Sequence, residues 1–233
     1  MPLQKGDFIL IDYVAKVKDT DTVIDLTRED VAKKVKFYKP DGIYEPKLVK
    51  LDEGWLPKGL EEALLTMEVG EERTIEIPPE KAFGLRDPSN VKVLPARELV
   101  KRGITPRVGG QVELDNKTAI IRSVGGGRVT LDFNHPLAGK TIVYTVKVVS
   151  KVELDQDKVL ELIHRRVPTI PKDKFKVQIE GSSLTITLPE EAFSVGDIQY
   201  AKRGLLNDIE KYLPSIEKVT YLETFTLRRS KPP

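Results

Sequence analysis

The chain has 233 residues, and its 38 Lys or Arg and 36 Asp or Glu leave a formal net charge of only +2. At roughly 100–200 residues per domain, this length allows one large domain or two to three small ones. The balanced charge is not typical of nucleic-acid-binding proteins, which concentrate basic residues. The lack of cysteine excludes disulfides and thiolate metal sites, and no apolar run approaches the roughly 18 residues of a membrane span. We expect a cytoplasmic protein that binds neither nucleic acid nor membrane.

The first 86 residues show strand-like and helix-like patterns in turn. Period two over Asp7 to Lys18 predicts a strand. Thr27 is followed three residues later by Asp30, a capping-box pattern that predicts a helix over 28–36. The other predicted elements are strands at 23–25, 47–51 and 72–77 and a helix from Pro57 that ends at Gly70. One face of the first strand carries Ile9, Ile11, Tyr13, Ala15 and Val17, and the other carries Phe8, Leu10, Asp12, Val14 and Lys16.

Residues 87–133 have the character of a small β-rich insert. A helix pattern at 95–101 is followed by β patterns near 111–114, 118–123 and 128–133, with glycine pairs and triplets between them. Eight basic and five acidic residues give this segment a charge of +3. Its apolar residues exceed what so small a unit easily buries, so either a tight core or an exposed apolar surface is expected. They are Val91, Val93, Leu94, Leu99, Val100, Ile104, Val112, Leu114, Ile120, Ile121, Val129 and Leu131.

The chain after the insert divides into a long strand and a tail. Residues 141–152 alternate as a strand with Ile142 and Tyr144 on one face. The tail is predicted to contain helices at 157–166 and 198–213, a hairpin of 175–179 with 184–188, and a last strand at 219–227. With 13 basic and 13 acidic residues from Glu153 onwards, it shows no catalytic motif.

Few residues suit reactive chemistry. No phosphate-binding glycine loop is present, no Ser or Thr lies in a nucleophile motif, and the two histidines, His135 and His164, cannot form a three-histidine site within one chain. His164 is expected to be a surface or packing residue. What remains is a set of apolar and aromatic residues with one acid near strand ends, for which core packing is the plain alternative. These are Tyr13, Ile24, Asp25, Leu56, Leu60, Phe83 and Tyr144.

Their order along the chain resembles a known family. Gly59-Leu-Glu-Glu-Ala-Leu, Met67-Glu-Val-Gly-Glu and Ile75-Glu-Ile-Pro-Pro-Glu-Lys-Ala-Phe-Gly are similar to motifs of the FKBP-type peptidyl-prolyl isomerases. Asn134-His-Pro-Leu-Ala-Gly-Lys resembles the SlyD-like branch, in which an insert-in-flap domain interrupts the fold. The tail resembles the C-terminal domain of long archaeal members.

This resemblance implies an α+β fold: an FKBP-like antiparallel sheet wrapped on a short helix, with a small β-rich insert domain and a C-terminal α+β domain. It implies an isomerase domain of residues 1–86 with 134–153, an insert-in-flap chaperone domain of 87–133, and a C-terminal domain of 154–233. It implies catalytic roles for Tyr13, Asp25, Phe83 and Tyr144. It also implies substrate contacts from Ile24, Leu56, Pro57, Leu60, Leu137 and Ile142, with no cofactor and no metal.

Three residues depart from the family pattern. Phe83 replaces a tyrosine and so lacks a hydroxyl donor, and Pro57 lacks the backbone N–H of the usual isoleucine. Tyr144 replaces a common phenylalanine. Each lost donor is expected to cost about 1 kcal/mol of binding. We therefore expect modest isomerase activity and weak affinity for macrolides.

The sequence leaves three functional hypotheses open. The first is a prolyl isomerase whose insert binds unfolded or partly folded polypeptides at X–Pro segments. The second is a non-catalytic holdase chaperone with a degenerate isomerase pocket, which the substitutions at Phe83 and Pro57 favour. The third is an assembly scaffold built through the tail. The tail would then form a homodimer, and the alternative is that it only stabilises the chain.

Overall fold

A computed structural model describes residues 2–114 and 116–226. The strands are β1 (Phe8–Val17), β2 (Thr22–Leu26), β3 (Lys47–Lys50), β4 (Glu72–Ile77), β5 (Val91–Pro95), β6 (Gln111–Leu114), β7 (Lys117–Gly125), β8 (Arg128–Asp132), β9 (Ile142–Val152), β10 (Lys176–Glu180), β11 (Ser183–Leu188) and β12 (Lys218–Glu223). The helices are α1 (Glu29–Lys34), α2 (Lys58–Leu64), α3 (Ala96–Lys101), α4 (Asp155–Arg166) and α5 (Ile198–Tyr212). None of the helices in the described part of the chain is long and apolar enough to cross a bilayer.

The main sheet is antiparallel and has five strands, in the order β2-β1-β9-β4 with β3 also paired to β1. Its inner face packs on α2, as the period-two pattern of β1 and the helical spacing in α2 predict. The buried residues of this core include Ile9, Ile11, Leu60, Leu64, Met67, Ile77, Ile142, Val146 and Val148. The fold is therefore the expected FKBP-like antiparallel sheet wrapped on a short helix.

Helix α2 lies unusually close to β4, and Gly59 allows this approach. A Cβ atom on Gly59 would lie 2.6 Å from Cγ2 of Ile77 and 3.1 Å from Cβ of Lys81. Real Cβ atoms are not found at the shorter of these distances, so any side chain here would push the helix away from the sheet. Gly59 thereby fixes the position of the pocket floor, since Leu60 follows it directly.

The insert forms its own sheet, in the order β5-β8-β7-β6, with α3 against it. The buried residues are Leu99, Val112, Leu114, Ala119, Ile121, Val129 and Leu131. Strand β5 was not part of the sequence prediction, which began this unit with a helix. About half of the apolar residues singled out above are buried, while Val93 and Val100 stay 56% and 60% exposed.

The tail forms a third sheet, β10-β11-β12, in which β11 and β12 run parallel. Helices α4 and α5 pack on it, but their core does not end there. Phe8, Leu48 and Val152 of the main sheet belong to the same buried cluster as the apolar residues of α4 and α5. The tail therefore covers the outer face of the main sheet, which explains why β1 carries Phe8 and Leu10 on that face.

The predicted cap of the first helix is wrong. Helix α1 begins at Glu29, and the residue before it, Arg28, makes no side-chain cap. The Thr27 hydroxyl instead accepts the Tyr13 N–H at 2.9 Å and donates to Asp12 Oδ1 at 2.8 Å. Because Thr27 follows β2 directly and lies beside β1, cross-strand partners take its hydroxyl away from the helix.

Smaller differences concern element ends. The last strand ends at Glu223, and the predicted extension reaches Leu227, which lies outside the described residues. Pro57 is the residue before the first helical residue of α2 rather than the first itself. The domain boundaries at 87, 133 and 154 stay predictions.

Candidate active site

The pairing of three strands brings the predicted polar residues together. In β1, Ala15 lies opposite Asp25 of β2 and also opposite Tyr144 of β9, while Tyr13 lies opposite Val146. Residues two apart on a strand share a face, and aromatic side chains reach diagonal neighbours across a ladder. Tyr13 and Tyr144 accordingly lie with ring centroids 5.8 Å apart at an interplanar angle of 54°.

A short hydrogen bond joins the phenol of Tyr13 to the predicted acid. The Tyr13 hydroxyl donates to Asp25 Oδ2 at 2.5 Å, and the backbone N–H of Leu26 donates to the other oxygen, Oδ1, at 2.9 Å. Tyr13 is buried, whereas Asp25 is exposed. The carboxylate is thus held in one orientation at the edge of an apolar pocket while it still faces water.

Apolar side chains form the floor and rim of this pocket. Leu60 and Ile142 are fully buried in the same cluster as the two tyrosines. The half-buried residues packed against the same cluster include the predicted site residues Ile24, Leu56, Phe83 and Leu137. Pro57, also half-buried, directly precedes α2. Nine of the ten predicted site residues therefore belong to one cluster or bond directly to it, with Pro57 next to Leu56 in the chain.

The sequence interpretation did not assign a site role to His135. Its ring stacks on Phe83, with centroids 4.8 Å apart and an interplanar angle of 2°, and its Nδ1 accepts the Leu137 N–H at 3.2 Å. These contacts connect the Phe83 loop to the segment that returns from the insert. His135 lies two residues before Leu137, which was already a candidate, and this proximity in sequence was the signal that pointed to it.

The sequence interpretation also missed Lys47. Its Nζ donates to the Tyr13 hydroxyl oxygen at 3.3 Å and lies 5.8 Å from the centroid of that ring. Lys47 begins β3, the strand that pairs with β1 on the side opposite to β9 along part of its length. Tyr13 thereby receives a hydrogen bond from a cation and donates one to an anion.

Both phenols of the site stay protonated over the working pH range. Burial, followed by the hydrogen bond to the Asp25 carboxylate, raises the pKa of Tyr13 far above its ordinary value of 10.0. Burial, followed by the negative charge of Asp25, raises the pKa of Tyr144 to about 12. The pocket therefore offers a neutral donor and apolar walls rather than a nucleophile with a base beside it.

The comparisons with known proteins agree with this geometry. Residues 2–101 match the family model described as FKBP-type peptidyl-prolyl cis-trans isomerase. The short-type peptidyl-prolyl cis-trans isomerase of Methanocaldococcus jannaschii is 42% identical over 146 residues, which cover 63% of this chain and 92% of that protein. This chain belongs to the FKBP-type peptidyl-prolyl cis-trans isomerases. The members of this family are enzymes that interconvert the cis and trans forms of X–Pro bonds.

Two bacterial FKBP-type isomerases are similar as well. The FKBP-type 16 kDa peptidyl-prolyl cis-trans isomerase of Escherichia coli is 28% identical, with 63% of this chain and 91% of that protein covered. The SlyD protein of Helicobacter pylori is 35% identical, with 46% of this chain and 59% of that protein covered. The resemblance to the SlyD-like branch is thereby confirmed.

Two further models match the other parts of this FKBP-type chain. Residues 92–137 match the model described as FKBP26, IF domain, and residues 155–226 match the one described as FKBP26_C-terminal. The chain therefore carries an insert and a C-terminal region that match the two models named after FKBP26.

Proposed function

We propose that this chain isomerises X–Pro bonds in unfolded polypeptides at the pocket of Tyr13 and Asp25, and that its insert binds the same polypeptides. The observation that carries the proposal is the hydrogen bond of 2.5 Å between the Tyr13 hydroxyl and the Asp25 carboxylate beside a buried apolar floor. The family membership supports the reaction, and the shape of the pocket supports its location.

The reaction requires no reactive side chain. Rotation about an X–Pro bond has a barrier of about 18–20 kcal/mol because the twisted amide loses its resonance. In the twisted form the carbonyl is more ketone-like, and the proline nitrogen becomes pyramidal. A pocket that excludes water and binds this form better than the planar one lowers the barrier.

Each side chain has a role in this proposal. Leu60 and Ile142 receive the proline ring, because they form the buried floor. Tyr144 and Phe83 close its sides, and Asp25, oriented by Tyr13, lies beside the carbonyl carbon of the twisted amide. Ile24, Leu56, Pro57 and Leu137 form the rim that contacts the residues next to proline.

Polypeptide binding is assigned to the exposed apolar side chains of the insert. Val93 and Val100 are more than half exposed although they lie on β5 and α3, beside a well-packed core. Val108 is also exposed. Binding at this surface raises the local concentration of prolines at the pocket, which favours long unfolded clients over short peptides.

The alternative is a holdase chaperone whose isomerase pocket is degenerate. Phe83 and Pro57 favour it, because two hydrogen-bond donors are absent from the rim. The two proposals differ in one measurable property, namely whether folding limited by proline isomerisation is accelerated or only protected from aggregation.

Proline-limited refolding of an unrelated protein distinguishes them. We expect acceleration by the intact chain and its loss in Asp25→Ala. Val100→Ser combined with Val93→Ser is expected to reduce acceleration of protein refolding and leave isomerisation of a tetrapeptide unchanged. Val149→Ser, at an exposed position of β9 outside the insert, is the matched control. Suppressed aggregation without acceleration would favour the holdase.

We also propose a homodimer formed through the C-terminal region. Tyr200 on α5 is 79% exposed, and Phe225, which follows β12, is 63% exposed. A second copy of the chain that covered these two side chains would remove their apolar surface from water. Sedimentation equilibrium of the intact chain and of Tyr200→Ser tests it, with a monomeric intact chain as the contradicting result.

A further inference from the structure

A cleft beside the active site is walled by the C-terminal region. Its volume is about 260 Å³, far above the roughly 10–15 Å³ needed to hold one water. Tyr13 and Asp25 line it on one side, and His164 and Arg165 of α4 line it on the other. The cleft therefore continues from the isomerase pocket into a surface that residues 1–153 alone do not provide.

The wall formed by α4 is fixed in place. His164 Nε2 lies 2.6 Å from Glu45 Oε1, and its Nδ1 lies 3.1 Å from the carbonyl oxygen of Ile170. The Arg165 guanidinium lies 4.0 Å from the centroid of the Trp55 ring. Behind these contacts, α4 shares its buried core with the main sheet. The cleft is consequently a preformed feature of the folded chain.

The acids of the cleft already have partners. Asp25 accepts hydrogen bonds from Tyr13 and from the Leu26 backbone, and Glu45 bonds to His164. Glu161, at the same end, pairs with Lys172. Each of these three carboxylates therefore has at least one hydrogen-bonding partner among the described residues.

The cations of the cleft are in the opposite situation. Within residues 2–114 and 116–226, Lys47 donates only to the neutral Tyr13 hydroxyl, and Arg165 contacts only the face of Trp55. Lys47 and Arg165 are both exposed to solvent. Neither forms an ion pair with a described carboxylate. Each of these two cations is therefore available to pair with an acidic group that enters the cleft.

We propose that this cleft binds the segment flanking the proline in a substrate polypeptide, and that Lys47 and Arg165 select an acidic side chain there. The inference rests on the proposed isomerase site, because the segment enters the cleft while its proline occupies that pocket. Selection acts on one flank of the proline only, since none of the cleft-lining residues comes from the Phe83 loop or from the insert. The C-terminal region thereby acts as a specificity element of the enzyme.

A peptide series tests the selection. Short X–Pro peptides carry Glu or, in the matched set, Gln at each of the two positions before and after the proline. We expect one position at which Glu raises kcat/KM about three- to fivefold over Gln at low salt, mainly through KM, as for one partly exposed ion pair. The preference should fall towards one in ~0.5 M salt, where exposed charges are screened.

Variants of the full chain assign the preference to α4. Arg165→Gln should lower the Glu-over-Gln ratio towards one, and Arg165→Glu should favour an added peptide that carries Lys at the same position. Arg203→Gln, the same change on an exposed residue of α5 away from the cleft, should keep the ratio. An equal rate on Glu and Gln peptides, or a preference that survives in Arg165→Gln, would overturn the inference.

Binding can be measured without catalysis, which separates the two proposals. The chain has a single tryptophan, Trp55, and Arg165 lies against its ring. The Glu peptide should therefore change Trp55 fluorescence at lower concentration than the Gln peptide does. If no peptide is isomerised but the Glu peptide still binds preferentially, the proposed isomerase function is wrong and the proposed selection of acidic segments is supported. If isomerisation proceeds without preferential binding, only the proposed selection is wrong.

Discussion

The hydrogen bond between Tyr13 and Asp25 allows a sharp test, because a second tyrosine of the same pocket provides the comparison. Tyr13→Phe removes a hydroxyl that donates to a carboxylate at 2.5 Å, whereas Tyr144→Phe removes a hydroxyl with no hydrogen bond to any described residue. The two rings lie 5.8 Å apart in one cluster. The same atom is deleted in similar surroundings, and only its hydrogen bonding differs.

The expected magnitude follows from the exposure of the acceptor. A hydrogen bond to a charged group contributes about 1.5–3 kcal/mol when its partner cannot be replaced by water. Asp25 is exposed, so water takes over part of the lost interaction. We expect Tyr13→Phe to lower the free energy of unfolding by about 1–1.5 kcal/mol, and Tyr144→Phe to lower it by less than ~0.5 kcal/mol.

Urea unfolding followed by Trp55 fluorescence measures the stability of both variants. Loss of the oriented carboxylate should also lower kcat/KM of Tyr13→Phe on an X–Pro peptide about five- to tenfold, which corresponds to roughly 1–1.4 kcal/mol. Equal destabilisation by the two variants would refute the reasoning. An unchanged kcat/KM in Tyr13→Phe would show that the orientation of Asp25 does not matter for the reaction.

Three further predictions concern Asp132 of the insert, Gly59 of α2 and Phe83 of the candidate site. Burial alone raises the pKa of Asp132, but hydrogen bonds from the Asn134 side chain and backbone and from two arginines outweigh it and hold the pKa well below 3.8. The stability that this carboxylate contributes is complete above about pH 4 and decreases progressively below it until the pH passes the folded pKa. In urea unfolding, the destabilisation of Asp132→Asn relative to the intact chain should therefore be largest at pH 7 and clearly smaller near pH 2. Gly59→Ala should destabilise by about 1–2 kcal/mol in thermal unfolding, because a clash with Ile77 worth about 1–3 kcal/mol exceeds the helix propensity gain of up to ~1 kcal/mol; a stabilised variant would contradict the close approach. Phe83→Tyr should tighten binding of a macrolide in calorimetry by up to about fivefold, since it restores one donor, and an unchanged affinity would show that the missing hydroxyl is not the cause of weak binding.

The candidate site was largely accessible from the sequence, because the motifs that resemble the FKBP-type isomerases mark its residues. Tyr13 and Tyr144 alternate with buried residues on predicted strands, and Leu60 lies on a predicted helix face. Strand pairing then brings such positions together with little freedom, since a register shift of one residue would expose the whole apolar face.

Other parts were inaccessible because they depend on contacts distant in sequence. Thr27 has the local pattern of a helix cap, yet the amide of Tyr13 uses its hydroxyl in the folded chain. Lys47 and Arg165 lie more than a hundred residues apart, and neither has a neighbouring motif that marks it as part of the site. A local sequence motif predicts a hydrogen bond correctly only when the polar side chain bonds to its neighbours in sequence rather than to distant residues.

The sequence alone determined the order of the strands and helices, and its resemblance to the FKBP-type isomerases implied the antiparallel core and the residues of the pocket. The tertiary structure alone decided that the C-terminal region packs on the outer face of the main sheet and forms a wall of the cleft beside Asp25. The apolar outer face of β1, with Phe8 and Leu10, requires a cover, but the pattern of a strand does not specify which distant segment provides it. That choice depends on the shapes of two complete surfaces, which exist only once both have folded.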